Sequence, residues 1–132
     1  MILQLLGGRT PAQFLRRHWQ KRPLLIRGAV PGFNGLATPA ALRRLAGNDD
    51  VESRLVIRKG RSWLLENGPF KSTRFATLPD ANWTLLVQGL NLHLDSADRL
   101  LRLFSFVPQA RLDDVMVSYA RPGGGVGPHL DS

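Results

Sequence analysis

Hydrophobic and polar residues alternate along several short stretches of the chain, a period-two pattern that is typical of β-strands. Residues 53–58 place Leu55 and Ile57 on one face, and Lys59-Gly60 supplies the turn of a hairpin that returns along the next stretch. Two later stretches, WTLLVQ and DVMVSYA, are rich in residues that pack on sheets, and the short apolar run LLI indicates a buried strand. The predicted strands are residues 24–26, 53–58, 61–66, 83–88 and 114–120.

Three other stretches carry the signals of helix starts. Thr10 can cap a helix that has Pro11 at its first position, and Gln13 can reach back to complete a capping box. Residues 38–39 repeat the cap-plus-proline signal, and the Asp-Ser pair at 95–96 can cap a third helix. The first two helices are predicted to extend to about residue 20 and about residue 46, and the third has an apolar stripe. Helices and strands mixed along one chain predict an α+β fold.

The composition is that of one folded domain without a membrane segment. The chain has 132 residues, enough for one domain with a real core, and 43% of them are hydrophobic. No apolar run approaches the roughly 18 residues that a membrane helix needs, and the apolar start MILQLLGG lacks the features of a signal peptide. Cysteine is absent, which excludes disulfides and thiolate metal sites and suits a reducing cytoplasm.

The formal net charge of +8 is the most unusual bulk property. A positive field of this size attracts nucleic acid or acidic partners. The basic residues are interpreted as a solvated surface, because they are scattered apart from one cluster at Arg16, Arg17, Lys21 and Arg22. No RNA-binding aromatic signature accompanies that cluster, so direct nucleic-acid binding is not expected.

A glycine-rich stretch, RPGGGVGP, follows the last predicted strand. It has neither the Gly-Lys-Ser/Thr ending of a phosphate-binding loop nor the Gly-x-Gly-x-x-Gly pattern of a dinucleotide site. The residues themselves therefore favour a flexible connection between two strands. Its glycines are Gly123, Gly124, Gly125 and Gly127.

The triplet His129-Leu130-Asp131 comes directly after this loop. If Pro128 opens a strand, the histidine and the carboxylate point to the same side, roughly 6 to 7 Å apart along the strand. From there they can converge on one metal ion, and sites of two histidines and one carboxylate suit non-haem Fe(II). A His-x-Asp triplet alone is a weak signal, since it arises by chance in many chains.

Three blocks of sequence resemble the bacterial JmjC-type cupin oxygenases that hydroxylate an arginine of a large-subunit ribosomal protein. The blocks are HWQKRPLLIRGA (residues 18–29), NWTLLVQGLN (82–91) and DDVMVSYARPGGGVGPHLDS (113–132). The segments between them also fit, so the resemblance covers nearly the whole chain. It implies a helical and mixed region over about residues 1–112, followed over about 113–132 by the first strands of a double-stranded β-helix. The resemblance therefore implies that the chain is a single N-terminal portion of that domain, truncated before its remaining strands.

The resemblance also implies the chemistry. Carried over by position, His129 and Asp131 are catalytic residues that hold Fe(II), and the family's second histidine lies downstream of Ser132 with the 2-oxoglutarate ligands. Fe(II), 2-oxoglutarate and O2 would hydroxylate a ribosomal protein in the cytoplasm. The family tends to form dimers, which makes a homodimer one option for the full-length protein, and the oligomeric state stays open. The 132-residue chain alone is expected to be inactive. The glycines would keep bulky side chains away from the substrate entrance.

Several single residues are given structural interpretations. His18 is expected to be structural and to gain from a positive charge at a helix end, and His93 to be structural or on the surface. Asp113 and Asp114 are interpreted as a solvated strand start. The tryptophans Trp19, Trp63 and Trp83 are expected in the core.

Two other functions stay open. One is a non-catalytic basic module with a degenerate iron site that binds ribosomes or RNA. The other is a different cupin metalloenzyme, with another metal or a small-molecule substrate. A downstream histidine and metal-dependent succinate formation distinguish the hydroxylase from both.

Overall fold

The computed structural model describes residues 2–131, which form five helices and one four-stranded sheet. The helices are α1 (Ile2–Leu5), α2 (Pro11–Arg17), α3 (Pro39–Leu45), α4 (Ser72–Ala76) and α5 (Asp95–Arg102). The strands are β1 (Ser53–Lys59), β2 (Ser62–Asn67), β3 (Trp83–Val87) and β4 (Val117–Ala120). Single 3₁₀ turns lie at Leu90–Leu92 and Gln109–Arg111. The predicted α+β class is confirmed.

The sheet is antiparallel throughout, with the strand order β2-β1-β3-β4. The β1-β2 hairpin is the one that the sequence predicts, and Lys59 pairs with Ser62 across its turn. Gly60 has a φ of +62° in this turn, a conformation that favours glycine. In the centre of the sheet Leu55 pairs with Leu85, and Leu85 pairs in turn with Tyr119 on β4.

One face of the sheet forms the main hydrophobic core. Leu55 and Ile57 of β1 and Leu85 and Val87 of β3 are buried there. The residues that cover them come mostly from the helices and turns, namely Leu42, Ala46, Val51, Phe70, Leu90 and Ala97. All five residues of β3 are buried, so this strand is covered on both faces. β3 is therefore the centre of the fold, and β4 is attached to its free edge.

The first two predicted helix starts are confirmed by their capping hydrogen bonds. The amide of Gln13 donates to the Thr10 hydroxyl at 3.1 Å, and the amide of Thr10 donates back to the Gln13 side chain at 3.0 Å. The amide of Ala41 donates to the Thr38 hydroxyl at 3.1 Å in the same way. α2 ends at Arg17, earlier than predicted, and the chain then reverses through Gln20, which has a φ of +56°.

One predicted strand is absent, and another is shorter than predicted. Residues 24–26 form no strand, and Leu25 is 78% exposed, because no neighbouring strand pairs with this run. The last predicted strand begins at Val117 and not at residue 114. Residues just before it bond elsewhere, since the carbonyl of Val115 accepts from the Leu90 amide at 2.9 Å.

The expectation for the tryptophans holds only in part. Trp83 is buried in the core, and Trp19 is half-buried beside Phe14. Trp63 lies on β2 and is 40% exposed, so the prediction that it belongs to the core is wrong. Its position on an edge strand, with only β1 as a neighbour, leaves one side of the indole uncovered.

His18 caps the end of α2 and is 9% exposed. Its ring stacks on Phe14 at 6.1 Å between centroids, and its Nδ1 has no hydrogen-bond partner among the described residues. Burial lowers the pKa of His18, and the neighbouring guanidinium groups of Arg22, Arg9 and Arg17 lower it further. The residue is structural, as expected, but the prediction that it gains from a positive charge is wrong.

The lowered pKa of His18 makes stability depend on pH. The unfolded chain binds the proton more readily than the folded chain, so stability falls as the pH drops below the unfolded pKa of about 6.5. The free energy of unfolding, measured in urea at about pH 7.5 and about pH 5.5, is expected to fall less in His18→Phe than in the native chain. Equal losses in the two proteins would contradict the assignment.

Candidate metal centre

The glycine loop, residues 121–127, turns back against the beginning of β3. The amide of Arg121 donates to the carbonyl of Trp83 at 3.0 Å, and the amide of Asn82 donates to the carbonyl of Pro122 at 2.8 Å. Within the loop the amide of Gly124 donates to the carbonyl of Arg121 at 2.8 Å. The loop is thus an ordered turn fixed to the central strand, whereas its composition indicates a flexible connection.

Gly124 approaches β3 so closely that a side chain does not fit. A Cβ atom there would overlap the carbonyl oxygen of Trp83 and lie 2.9 Å from the hydroxyl oxygen of Thr84. Gly125 is different, since a Cβ atom there would lie 3.5 Å from the ring of Trp63, an ordinary contact. Only some of the glycines are therefore required by packing.

His129 and Asp131 follow the loop, and their side chains lie close together. The Nδ1 of His129 lies 2.9 Å from the carbonyl oxygen of Gly127, and the Nε2 lies 3.4 Å from the Oδ1 of Asp131. Because a carbonyl oxygen only accepts, Nδ1 carries the proton in this contact, and a neutral ring keeps the lone pair on Nε2. An imidazole nitrogen and a carboxylate oxygen thus face each other at one exposed point.

This pair has the chemistry of two adjacent metal ligands. Two donor atoms that each lie about 2.1 Å from one divalent cation are roughly 3 Å apart at neighbouring octahedral corners. The hydrogen bond from Nδ1 to a backbone carbonyl is also typical of histidines that bind metals, because it fixes the ring and its tautomer. Within residues 2–131, no group of three or more potential ligands comes together.

The backbone at this pair differs from the prediction. Residues 128–131 form no strand, because no neighbouring segment of residues 2–131 pairs with them. The two side chains nevertheless lie on the same side, as the spacing of two residues predicts for extended backbone. His93 is half-buried in the turn before α5, far from His129 in the sequence.

Asp114 has a role that the sequence interpretation misses. Its Oδ2 accepts from the amide of Gly89 at 2.6 Å, and the Oδ1 of Asn91 accepts from the amide of Val115 at 3.0 Å. These bonds hold the segment before β4 against the 3₁₀ turn that follows β3. Asp114 is therefore not a solvated residue, whereas Asp113 is exposed. The contact joins residues 25 positions apart, so no local pattern indicates it.

The face of the sheet opposite the core carries polar groups that the sequence does not single out. Arg54 donates to the side chain of Gln88 at 2.7 Å, but its Nε has no partner among the described residues. The buried hydroxyl of Thr84 is also without one. The guanidinium of Arg58 on β1 lies over the exposed ring of Trp63 on β2, 5.7 Å from the ring centroid. Tyr119 of β4 points the other way and packs on Trp83 in the core.

No helix in the described part of the chain is long and apolar enough to cross a membrane. The search against protein-family models finds no match.

Two bacterial proteins are similar to the chain over most of its length. The ribosomal protein uL16 3-hydroxylase of Escherichia coli is 43% identical over 118 residues, which are 89% of this chain and 31% of that protein. A probable ribosomal oxygenase of Haemophilus influenzae is 42% identical over 123 residues, which are 92% of this chain and 30% of that protein. The chain thus spans about a third of the length of these relatives.

Solved structures agree with the sequence matches. The ribosomal oxygenase YcfD from E. coli superposes with a TM-score of 0.85 at 41% identity, over 93% of this chain and 34% of that one. Structures of YcfD in complex with cobalt and either succinic acid or 2-oxoglutarate match with a TM-score of 0.84 at 42% identity. They cover 91% of this chain and 33% of theirs. The predicted resemblance is confirmed: over the portion that it spans, the chain is homologous to the ribosomal oxygenases.

Proposed function

We propose that this chain supplies two iron ligands, His129 and Asp131, to an Fe(II)- and 2-oxoglutarate-dependent hydroxylase of a ribosomal protein. The observation that carries the proposal is the pairing of the His129 Nε2 with the Asp131 Oδ1 at 3.4 Å, beside a ring fixed through Gly127. When bound, Fe(II) with 2-oxoglutarate and O2 supplies the oxidising power to hydroxylate an unactivated C–H bond.

The donor set supports iron. An imidazole nitrogen and a carboxylate are the ligands of non-haem Fe(II) sites, and such sites need one further histidine. Cobalt, found in the YcfD complexes, is a divalent first-row metal that takes the same donors. We place the further histidine and the 2-oxoglutarate ligands beyond Ser132.

The residues of this chain have distinct roles in the proposed site. The Asp131 carboxylate offsets part of the charge of a divalent cation, and the Gly127 carbonyl holds the imidazole with Nε2 directed at it. Gly124 allows the loop to lie against β3, which fixes the position of the backbone that leads to the two ligands. The chain thus orients two donors, and the loop sets their position relative to the sheet.

The finer parts of the proposal rest on the family resemblance. The E. coli relative is named for hydroxylating uL16, and we propose an arginine side chain of a large-subunit ribosomal protein as the target. O2 as oxidant, the cytoplasm as location and a homodimer as the assembly belong to the same proposal.

Metal binding by the chain itself tests the two ligands. Titration with Co(II), followed by the visible absorption of the bound ion, is expected to show weak binding that His129→Ala reduces roughly tenfold or more. Asp131→Asn is expected to act in the same direction. His93→Ala is the matched control and is expected to leave the titration unchanged. Loss of binding in His93→Ala, or its retention in His129→Ala, would refute the site.

Turnover tests the reaction. The 132-residue chain with Fe(II), 2-oxoglutarate and uL16 is expected to form no succinate above background, since it offers two ligands. Reading the encoding DNA past codon 132 is expected to reveal a frame that continues with a histidine and a basic 2-oxoglutarate ligand. The protein from that frame should form succinate in step with one added oxygen on a uL16 arginine. Oxidation of a small molecule instead would favour a different cupin enzyme.

A further inference from the structure

The net positive charge of the chain belongs to its first part. Residues 1–48 contain eight Lys and Arg residues and no Asp or Glu, and residues 49–132 contain ten of each sign. The whole net charge of +8 therefore belongs to the first 48 residues. The interpretation of the basic residues as scattered overlooks this separation, which the acidic residues reveal.

A cavity of about 960 Å³ lies between α3 and α4, partly within this acid-free segment. Its wall includes Arg43 and Arg44 from α3, Lys71 and Ser72 from the start of α4, and the rings of Phe70 and Phe75. None of the described residues that line it is an Asp or a Glu. The cavity therefore presents three cations and a hydroxyl group to whatever enters it.

The three cations of this cavity are uncompensated. Within residues 2–131, Arg43, Arg44 and Lys71 form no ion pair, and all three are exposed. Arg74, on the same helix α4, shows the contrast, because it binds both carboxylate oxygens of Glu66, at 2.7 and 3.0 Å. Like charges held together without an anion repel one another, and an anionic ligand would remove that cost.

The aromatic rings indicate which part of a ligand binds. The guanidinium of Arg43 lies over the ring of Phe75 at 5.9 Å, and Phe75 meets Phe70 edge-on at 5.9 Å. Stacking holds the guanidinium plane in place while its N–H groups remain free at the edge, ready for a phosphate. Because Arg43 covers one face of Phe75, this part of the wall presents the edge of a guanidinium group to a ligand.

We propose that the cavity between α3 and α4 binds backbone phosphates of RNA. Its volume far exceeds that of one phosphate, and its three cations come from α3 and from the start of α4, which suits a polyanion more than a small anion. Recognition through phosphates alone is independent of base sequence. The proposal does not depend on the hydroxylase activity.

Fluorescence anisotropy with a labelled single-stranded RNA of mixed sequence, about 20 nucleotides long, tests the proposal. The variant Arg43→Gln/Arg44→Gln/Lys71→Gln is expected to bind roughly tenfold or more weakly at about 50 mM salt. Between about 50 and 200 mM salt, the slope of the logarithm of its binding constant against the logarithm of the salt concentration should be shallower by about 2, because about three phosphate contacts are lost. The control variant Arg61→Gln/Arg99→Gln/Arg111→Gln removes the same charge elsewhere and should keep most of the affinity.

Four outcomes would overturn the proposal. Equal weakening by the two triple variants would mean that RNA responds only to net charge. Displacement of RNA by inorganic phosphate at matched ionic strength would assign the cavity to a small anion, and tighter binding of a DNA of the same sequence would exclude a preference for RNA. A lipid surface would be indicated if the native chain bound phosphatidylserine vesicles and the cavity variant did not, while both bound RNA equally well.

The Co(II) titration of the cavity variant should match that of the native chain, which separates this proposal from the iron site.

Discussion

Leu85→Ala is expected to lower the free energy of unfolding by roughly 2–5 kcal/mol, the largest effect of any single substitution considered for this chain. Leu85 is fully buried in the middle of β3, where it pairs with Leu55 on one side and Tyr119 on the other. Removing its side chain loses the transfer free energy and leaves a cavity that the surrounding sheet cannot close. Since domains of this size are stable by about 5–15 kcal/mol, the variant should lie close to unfolding.

Urea unfolding followed by circular dichroism measures the effect of Leu85→Ala. Leu92→Ala is the matched control, because Leu92 is 79% exposed and its truncation should change stability by no more than about 0.5 kcal/mol. Leu85→Ile keeps the volume and should cost less than about 1.5 kcal/mol. Similar midpoints for the Leu85→Ala and Leu92→Ala variants would show that β3 is not the centre of the fold.

Gly124→Ala is expected to destabilise the chain by about 1–3 kcal/mol, whereas Gly125→Ala should have little effect. Neither glycine has a positive φ, so the backbone of each accepts alanine and the two differ in their surroundings. The new methyl group of Gly124→Ala would meet the carbonyl oxygens of Trp83 and Arg121 and the hydroxyl of Thr84. The loop must then move away from β3, and the hydrogen bonds that attach it should weaken.

The same pair of variants links the loop to the metal site. If the loop positions His129 and Asp131, Gly124→Ala should weaken Co(II) binding and Gly125→Ala should not. Thermal unfolding and the Co(II) titration, run on both variants, check the two consequences separately. Equal stability of the two variants would contradict the close approach to β3, and unchanged Co(II) binding in a destabilised Gly124→Ala would show that the ligands do not need the loop.

This contrast refines the reason for the glycine-rich stretch. The sequence suggests that glycines keep side chains away from a substrate entrance, and that hypothesis predicts that Gly125→Val lowers peptide turnover in the full-length enzyme. At Gly124 the structure gives a different reason, since the chain passes so close to the carbonyl of Trp83 that only glycine fits. Composition shows that a loop is rich in glycine but not which glycine is required.

Local signals account for the elements that the sequence predicts correctly. The hairpin of β1 and β2 follows from alternation and from a turn glycine, and the starts of α2 and α3 follow from a threonine followed by proline. α4 is missed because Lys71 before it makes no side-chain cap. The apolar residues 24–26 are mistaken for a strand because a run of three apolar residues does not reveal whether a partner strand is nearby.

In the candidate iron site, too, the sequence predicts some features and the folded structure decides others. A histidine and an aspartate two residues apart are visible in the sequence, and the resemblance to ribosomal oxygenases is carried by the blocks around them. The tautomer of His129, however, depends on the carbonyl of Gly127 reaching Nδ1. That contact is a matter of how the loop folds back, which residue spacing does not fix.

The hairpin and the caps of α2 and α3 are properties of short stretches, because each depends on residues within a few positions of one another. The family is visible in three blocks of sequence, and the fold class in the order of the predicted elements. The remaining features arise where distant segments meet. Asp114 finds the amide of Gly89, Gly124 lies on the backbone of β3, and Arg43 and Lys71 come to one cavity only after α3 and α4 pack together. Charge and close contact act through space, so the anion-binding cavity and the fixed loop exist only in the folded chain.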